Sequence, residues 1–409
     1  MFTRMRVLVG WVIFVFGLAL MAAPAAGADN VLRVGAAVSL SGAFAKLGVE
    51  TKAGYEIWKD VVNKAGGIKV GIKKYKVEII YYDDKSDAQT AAKLTEKLIT
   101  EDKVKILFGP YSSGITDATA TIADRYKVIT LGSSAYGDVL YDKGRKYLFC
   151  PASRASTEYR NMLQMIKEMD PSLKRVAILT ADNVAALGWA SGGEKHAKDL
   201  GFDVVAFEKY PLPINDLSSA ILSIKSKNPD ILISAGFVTD GILMLRQMKD
   251  LRFSPKVVAG ASTLPSQEVL DNLKGDAEGL VVAAQHIPDA PRKDPVFGSL
   301  QAYEKLVLST YGGTVNDRQV ASSAAGVMLQ KALERAGTVD DVDKIRAALL
   351  SLDLKDTIFG PIKLENPNGI NGARFAAVLQ VQGGKFVPVF PANVSRQKPI
   401  YPFKPWEKR

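Results

Sequence analysis

Lys105-Ile106-Leu107-Phe108-Gly109-Pro110-Tyr111-Ser112-Ser113-Gly114 decides how this chain is read. An apolar run with the character of a buried parallel strand stops at Gly-Pro, two serines follow, and residues 115–126 have the spacing of a helix. Serines at the first turn of a helix leave hydroxyls and backbone N–H groups at the carboxyl end of the preceding strand. Such a turn holds a small anion without a full positive charge. In open α/β sheets the crevice outside those strand ends is where ligands bind. Taken alone, the same residues also read as an ordinary helix N-cap.

The surrounding chain supplies the context. Residues 32–40, 77–82, 106–108, 128–131, 147–150, 176–180, 204–207, 231–235, 257–259 and 280–285 read as strands. Helical stretches lie between most of them at 54–64, 88–100, 159–168, 191–200, 217–227 and 241–251. This alternation predicts an α/β chain of doubly wound parallel sheets. So many strands exceed one twisted sheet, and the pattern restarts near Ala152–Arg154, so two sheets are expected. After Gln285 the rhythm breaks at Pro288, Pro291 and Pro295. Helices then follow at 297–311, 320–336 and 342–352 without strands between them. They need a sheet to cover, which sends the chain back to the first lobe; late strands, including 375–381, then complete the second. The expected division is lobe 1 at 29–151 and 286–360, lobe 2 at 152–285 and 361–395, and a surface strap at 396–409. Several crossings between two Rossmann-like lobes make a hinge with a cleft.

The amino-terminal segment has the layout of a cleaved export signal: Arg4 and Arg6, an apolar core at 7–20, and small residues at 23–28. The mature start is expected near Asp29, and the apolar core is short for a membrane span. The whole chain holds 53 basic and 43 acidic residues; without the signal, 51 basic face 43 acidic, a net +8. The charges are scattered, with no basic cluster interleaved with aromatics, which argues against nucleic acid. Cys150 is the only cysteine, so stability must come from a large core rather than from disulfides.

In order along the chain stand Leu40-Ser41-Gly42-Ala43-Phe44-Ala45-Lys46-Leu47-Gly48, Asn63-Lys64-Ala65-Gly66-Gly67-Ile68 and Tyr82-Asp83-Asp84-Lys85-Ser86-Asp87. Gly109-Pro110-Tyr111-Ser112-Ser113, Gly275-Asp276-Ala277-Glu278-Gly279 and Phe359-Gly360-Pro361 follow. Over nearly the whole mature length the chain resembles the periplasmic solute-binding proteins of ABC importers, of the leucine/isoleucine/valine-binding (type I) group. The resemblance implies two Rossmann-like lobes that close on a small solute and delivery of that solute to a membrane permease. It implies a carboxylate held by Ser113 and by the turn Gly132-Ser133-Ser134, itself a second polar turn after a strand. Phe44, Leu47 and Tyr111 are expected to wall the pocket from lobe 1, and Phe237 from lobe 2. Two departures stand out. Ser86 and Ser112 occupy what look like the positions of the family's first-lobe disulfide. The carboxylate that pairs the ligand's ammonium group is missing from Gly260-Ala261-Ser262-Thr263. Asp182 and Asp240, at other second-lobe strand ends, are the candidate substitutes; otherwise the solute is an amine-free aromatic or short-chain acid.

Enzymatic readings find little support. His196 and His286 are the only histidines, with His196 expected on an exposed helix face, and no nucleophile elbow, P-loop or metal-binding cluster occurs. The Asp83–Asp87 run lacks the spacing of a calcium loop and reads as a strand-end turn and helix cap. No metal or cofactor is expected. The sequence therefore points to a monomeric periplasmic binder of an amino acid of branched-chain type or a related small carboxylate. The alternative is a free periplasmic sensor that docks on a membrane kinase.

Overall fold

Short runs of aliphatic and β-branched residues become strands buried on both faces, as parallel strands covered by helices must be. The computed structural model describes residues 30–312 and 315–408; the expected signal segment lies outside them. The first sheet contains β1 (Asn30–Val38), β2 (Ile68–Val70), β3 (Lys73–Asp83), β4 (Ile106–Phe108), β5 (Ile129–Leu131) and β6 (Leu148–Phe149), in the order β2-β3-β1-β4-β5-β6. All its pairings are parallel except the β2–β3 hairpin. The connections carry α1 (Ala45–Lys64), α2 (Ala88–Thr100), α3 (Ser113–Tyr126) and the short α4 (Asp138–Asp142).

After α5 (Arg160–Met169) the second sheet begins. It holds β7 (Arg175–Ala181), β8 (Asp203–Tyr210), β9 (Ile231–Ala235), β10 (Val257–Gly260) and β11 (Val281–Ala284), with α6 (Val184–Asp199), α7 (Ser218–Ser226), α8 (Val238–Asp250) and α9 (Gln267–Leu273) between them. A small ribbon, β12 (Lys293–Asp294) with β13 (Gly298–Ser299), precedes α10 (Leu300–Leu306), α11 (Asp317–Ala336) and α12 (Val342–Leu350). The last strands, β14 (Ala377–Gln382) and β15 (Lys385–Phe390), extend the second sheet antiparallel, giving β15-β14-β11-β10-β9-β7-β8. Two doubly wound lobes are what the alternating pattern predicts. The strand order reverses at β1 in one sheet and at β7 in the other, which is where each sheet opens a crevice.

The largest differences from the sequence reading are two helix starts. Helix α1 begins nine residues before the expected position 54, and α6 seven before 191. Both helices carry interior glycines at points of close packing. A Cβ on Gly54 would lie 2.3 Å from the Gln319 carbonyl oxygen, and one on Gly192 would lie 2.0 Å from that of Ser156. Helix α11 lies against α1 at this point, with the Ser323 hydroxyl donating to the Gly54 carbonyl at 2.7 Å and Trp58 buried over Gly326. The residue 297–311 helix is shorter than expected and ends in a π-helical turn, while β2, β15, α4 and α9 were not anticipated. His196 is half-buried rather than exposed, and burial lowers its pKa. Asp87 caps α2 through the Thr90 N–H at 2.7 Å, the role expected for the Asp83–Asp87 run.

The tail is anchored by aromatics. Phe403 and Trp406 are buried, and the Trp406 indole donates to the Phe253 carbonyl at 2.9 Å. Three strands of chain join the lobes and lie side by side. Asn371 donates to the carbonyls of Pro151 and Pro361, both at 2.8 Å, and the Cys150 N–H donates to Gly369 at 2.9 Å. Arg374 is buried, stacks on Phe359 at 4.1 Å and donates to the carbonyls of Phe359 and Gln285.

The α1–α11 contact makes a prediction with an unusual sign. Alanine normally favours a helix interior over glycine by about 1 kcal/mol. At Gly54 the overpacking against a backbone carbonyl outweighs this, so Gly54→Ala should lower stability by about 1–3 kcal/mol. Thermal or urea unfolding checks it; a rise in stability would show that α1 and α11 are not in close contact.

Candidate functional site

The polar turn after β4 forms as its sequence suggests. Tyr55 of α1 stacks on Phe108 at 4.2 Å and its hydroxyl donates to the Gly109 carbonyl at 2.8 Å. The Gly109 N–H donates to Leu131 at 2.9 Å, and the Gly132 N–H to Phe149 at 2.8 Å. These bonds hold the turns after β4 and β5 beside each other, bringing Ser113 and Gly132-Ser133-Ser134 to one edge of lobe 1. Ser112 is the N-cap of α3 but makes no side-chain cap bond. Ser113 is buried, and its hydroxyl oxygen accepts the Gly137 N–H at 3.3 Å. Ser134 is buried, and its hydroxyl has no partner among the described residues. Ser133 is fully buried, its hydroxyl likewise has no partner among the described residues, and its carbonyl accepts the Cys150 thiol at 3.5 Å.

The half-buried rings of Phe44 and Tyr111 lie 6.3 Å apart, with Leu47 half-buried one turn into α1. Phe44 is tied down by its N–H, which donates to the Ser86 hydroxyl at 2.9 Å. The other lobe offers Phe237 at the start of α8, 5.6 Å from Trp189 of α6, and Trp189 lies 6.3 Å from Tyr136 of lobe 1. These rings form an aromatic band running from one lobe to the other. The lobes touch across the cleft: the Tyr136 and Ser262 hydroxyls are 3.0 Å apart, and Lys46 of α1 pairs with Glu268 of α9 at 3.1 Å. Asp138 of α4 accepts the Ser156 N–H at 2.8 Å and its hydroxyl at 2.6 Å.

The two carboxylates proposed as ammonium partners have different surroundings. Asp182 is exposed at the end of β7. Asp240 is buried, takes a hydrogen bond from the Tyr210 hydroxyl, and accepts the Phe237 N–H at 2.9 Å, so it caps α8. Thr263 is likewise committed, donating to the Gly236 carbonyl at 2.7 Å. The loop Gly260–Thr263 lacks an acid in sequence but not in space. Glu158, just past the first crossing, is buried behind it, accepting the Ser262 N–H at 2.6 Å and the Gln285 amide at 3.1 Å.

Burial raises the Glu158 pKa, and its hydrogen bonds only partly offset this. Burial also raises the pKa of the Tyr111 and Tyr136 phenols and of Asp317, the first residue of α11. Tyr136, Trp189, Glu158 and Asp317 line this region, yet no sequence motif marked them. The asparagine before Asp317 signalled a helix start and nothing more. Among the described residues no group of acids, histidines and cysteine has metal-binding geometry.

Glu158 gives a pH-dependent prediction. A carboxyl whose pKa is raised by folding binds its proton more tightly folded than unfolded. Its contribution is therefore fully present below the ordinary glutamate range and is lost as pH rises through the raised value. Glu158→Gln removes that loss while keeping an acceptor for Ser262. Melting temperatures of variant and wild type, compared between about pH 4 and pH 7, should show the variant gaining relative to wild type as pH rises. Parallel curves would mean that Glu158 ionises as freely folded as unfolded.

The sequence profile of the periplasmic binding protein family matches residues 31–385. A curated relative, a Leu/Ile/Val-binding protein homologue of Brucella suis, is 27% identical over 392 residues, covering 93% of this chain and 96% of its own length. A branched-chain amino acid transporter substrate binding protein of Streptococcus pneumoniae, solved with isoleucine, superposes with a TM-score of 0.73 at 21% identity, covering 87% of this chain and 98% of that one. A solute binding protein of Rhodopseudomonas palustris, solved with benzoate, gives 0.73 at 23% identity, covering 88% and 95%. The chain belongs to the periplasmic binding protein family.

Proposed function

We propose that the protein is the solute-binding component of an ABC importer. In this reading it works in the periplasm as a monomer, takes an amino acid or a related small carboxylate into the interlobe cleft, and presents it to a membrane permease. The observation that carries the reading is the pair of polar turns after β4 and β5. Ser113 and Ser134 sit at strand ends with no arginine or lysine within either turn, which suits a carboxylate held by hydroxyls and helix-end N–H groups. The aromatic band of Phe44, Tyr111, Tyr136, Trp189 and Phe237 supports an apolar ligand body, since cofactor-free small-molecule sites pair apolar walls with a few placed polar groups. The Brucella and Streptococcus relatives support the amino-acid branch. The benzoate-bound Rhodopseudomonas protein and the aromatic band support the second reading, an amine-free aromatic acid. A periplasmic sensor that docks on a membrane kinase would use the same cleft, and the permease and ATPase genes beside an importer's gene separate the two.

Titration calorimetry over amino acids and aromatic or aliphatic carboxylates tests the proposal. A true ligand should bind about one per chain, and at a hundredfold excess over Kd it should stabilise the fold by about 2.7 kcal/mol. Binding by none of these acids would overturn the reading.

The two serines should respond differently. Ser134→Ala removes a buried hydroxyl that bonds to nothing among the described residues, so thermal stability without ligand should hardly change. Affinity should fall about tenfold or more, the value of one charge-assisted hydrogen bond of about 1.5–3 kcal/mol. Ser113→Ala should cost similar affinity and also lower the melting temperature slightly, because the Gly137 N–H loses its acceptor. Wild-type affinity in Ser134→Ala would remove that residue from the site.

A further inference from the structure

We infer that the ligand carries a protonated nitrogen as well as its carboxylate, and that Asp317 receives it. The inference rests on the carboxylate reading of Ser113 and Ser134 given above and settles which of its two branches holds.

Asp317 opens α11, the helix packed along α1. Its neighbour Arg318 is fixed to Glu50 of α1 at 2.5 Å, close to the turn that carries Phe44 and Leu47. This places the first turn of α11 at the cleft end of lobe 1. The groups whose charge Asp317 influences are Tyr111 and Tyr136 of lobe 1 and Glu158 beyond the first crossing, and Arg374 of the third crossing acts on Asp317 in turn. Lys46, at the start of the same α1, reaches Glu268 of the other lobe at 3.1 Å, so the end of α1 beside Asp317 faces the cleft.

Its Oδ1 atom is buried and has no hydrogen-bond partner among the described residues. The two arginines near it direct their bonds elsewhere. The Arg318 Nε donates to Glu50, and the Arg374 guanidinium donates to the carbonyls of Phe359 and Gln285 while stacking on Phe359. A position in the first turn of a helix makes a negative charge tolerable. It does not supply the donor that a buried carboxylate oxygen requires.

Among the described residues, other buried donors at the cleft also lack partners, including the Ser134 hydroxyl and the Trp189 indole Nε1, and Trp189 is only 2% exposed. Both offer a hydrogen and suit an acceptor. The cleft therefore presents donors on one side and a carboxyl oxygen without a partner among the described residues on the other. A zwitterion answers both, whereas an amine-free acid leaves Asp317 buried without a donor. In the sequence the expected second-lobe acid is absent; in the structure its task falls to a first-lobe acid on a different helix.

The test compares ligand pairs that differ only in the nitrogen: leucine with 4-methyl-2-oxopentanoate, phenylalanine with phenylpropionate, and aminovalerate with valerate. Calorimetry is run on wild type, Asp317→Asn and Asp317→Ser, with folding of each variant checked by its melting curve. In wild type the best nitrogen-bearing member should bind at least tenfold more tightly than its partner. That ratio should collapse to within about threefold in either Asp317 variant, while Ser134→Ala weakens both members of the pair alike. Amine-free acids that bind wild type equally well or better would overturn the inference and leave the carboxylate reading standing. So would a ratio that survives removal of the Asp317 charge. If no member of any pair binds wild type, the carboxylate reading falls and takes this inference with it.

Discussion

The buried Arg374 guanidinium ties together the structure on which the cleft depends. It sits where three passages of chain run between two sheets, and it bonds the backbone of the second passage at Gln285 and of the third at Phe359. Burial beside Arg292 lowers its pKa to about 9, so it remains charged at neutral pH. A buried cation without an ion pair is costly unless its hydrogen bonds are met, and here backbone carbonyls and the Phe359 ring meet them. His286, on the second passage, is buried beside Arg374 and Arg292 and held neutral, its pKa lowered to about 3. Asn371 performs the corresponding task for the first passage, bonding Pro151. Three crossings fixed to each other this way allow the lobes to rotate about one narrow region rather than slide.

The cleft chemistry follows from that hinge. Each sheet turns its strand carboxyl ends toward the other lobe, so polar turns face polar turns. The lobes meet through the Tyr136–Ser262 hydroxyl contact and the exposed Lys46–Glu268 pair. Exposed ion pairs contribute little, so the Lys46–Glu268 pair guides register more than it stabilises closure. The aromatic band and the partnerless atoms of Ser134, Trp189 and Asp317 lie between. Closure gains most when a solute satisfies those atoms, which is how differential interaction with two states couples binding to movement.

What was legible in the sequence was local. The strand–turn–helix around Gly109–Ser113 and the turn at Gly132–Ser134 are contiguous, and their place at a strand end follows from hydrophobic runs and turn residues alone. The break after Gln285 marked the change of rhythm because proline is a local signal. The starts of α1 and α6 were not legible, because Gly48 and Gly188 weaken the helical pattern before positions 54 and 191, and glycines in both helices answer to close packing rather than to helix propensity. The same limit hid the site's acids. Glu158 reaches Ser262 across 104 positions of sequence, and Asp317 reaches the cleft only because α11 packs along α1. Asp240, by contrast, stood at the right strand end, but its oxygens were already engaged by Tyr210 and Phe237. Residue type and position identified a candidate; only the hydrogen bonds showed that it was committed elsewhere.

In the proposed function the two lobes close about the Arg374 hinge when solute is bound. Small-angle X-ray scattering of the purified protein, with and without a saturating ligand found by calorimetry, tests this most directly. The radius of gyration should fall when ligand is added. Identical profiles in the two conditions would contradict a hinged cleft.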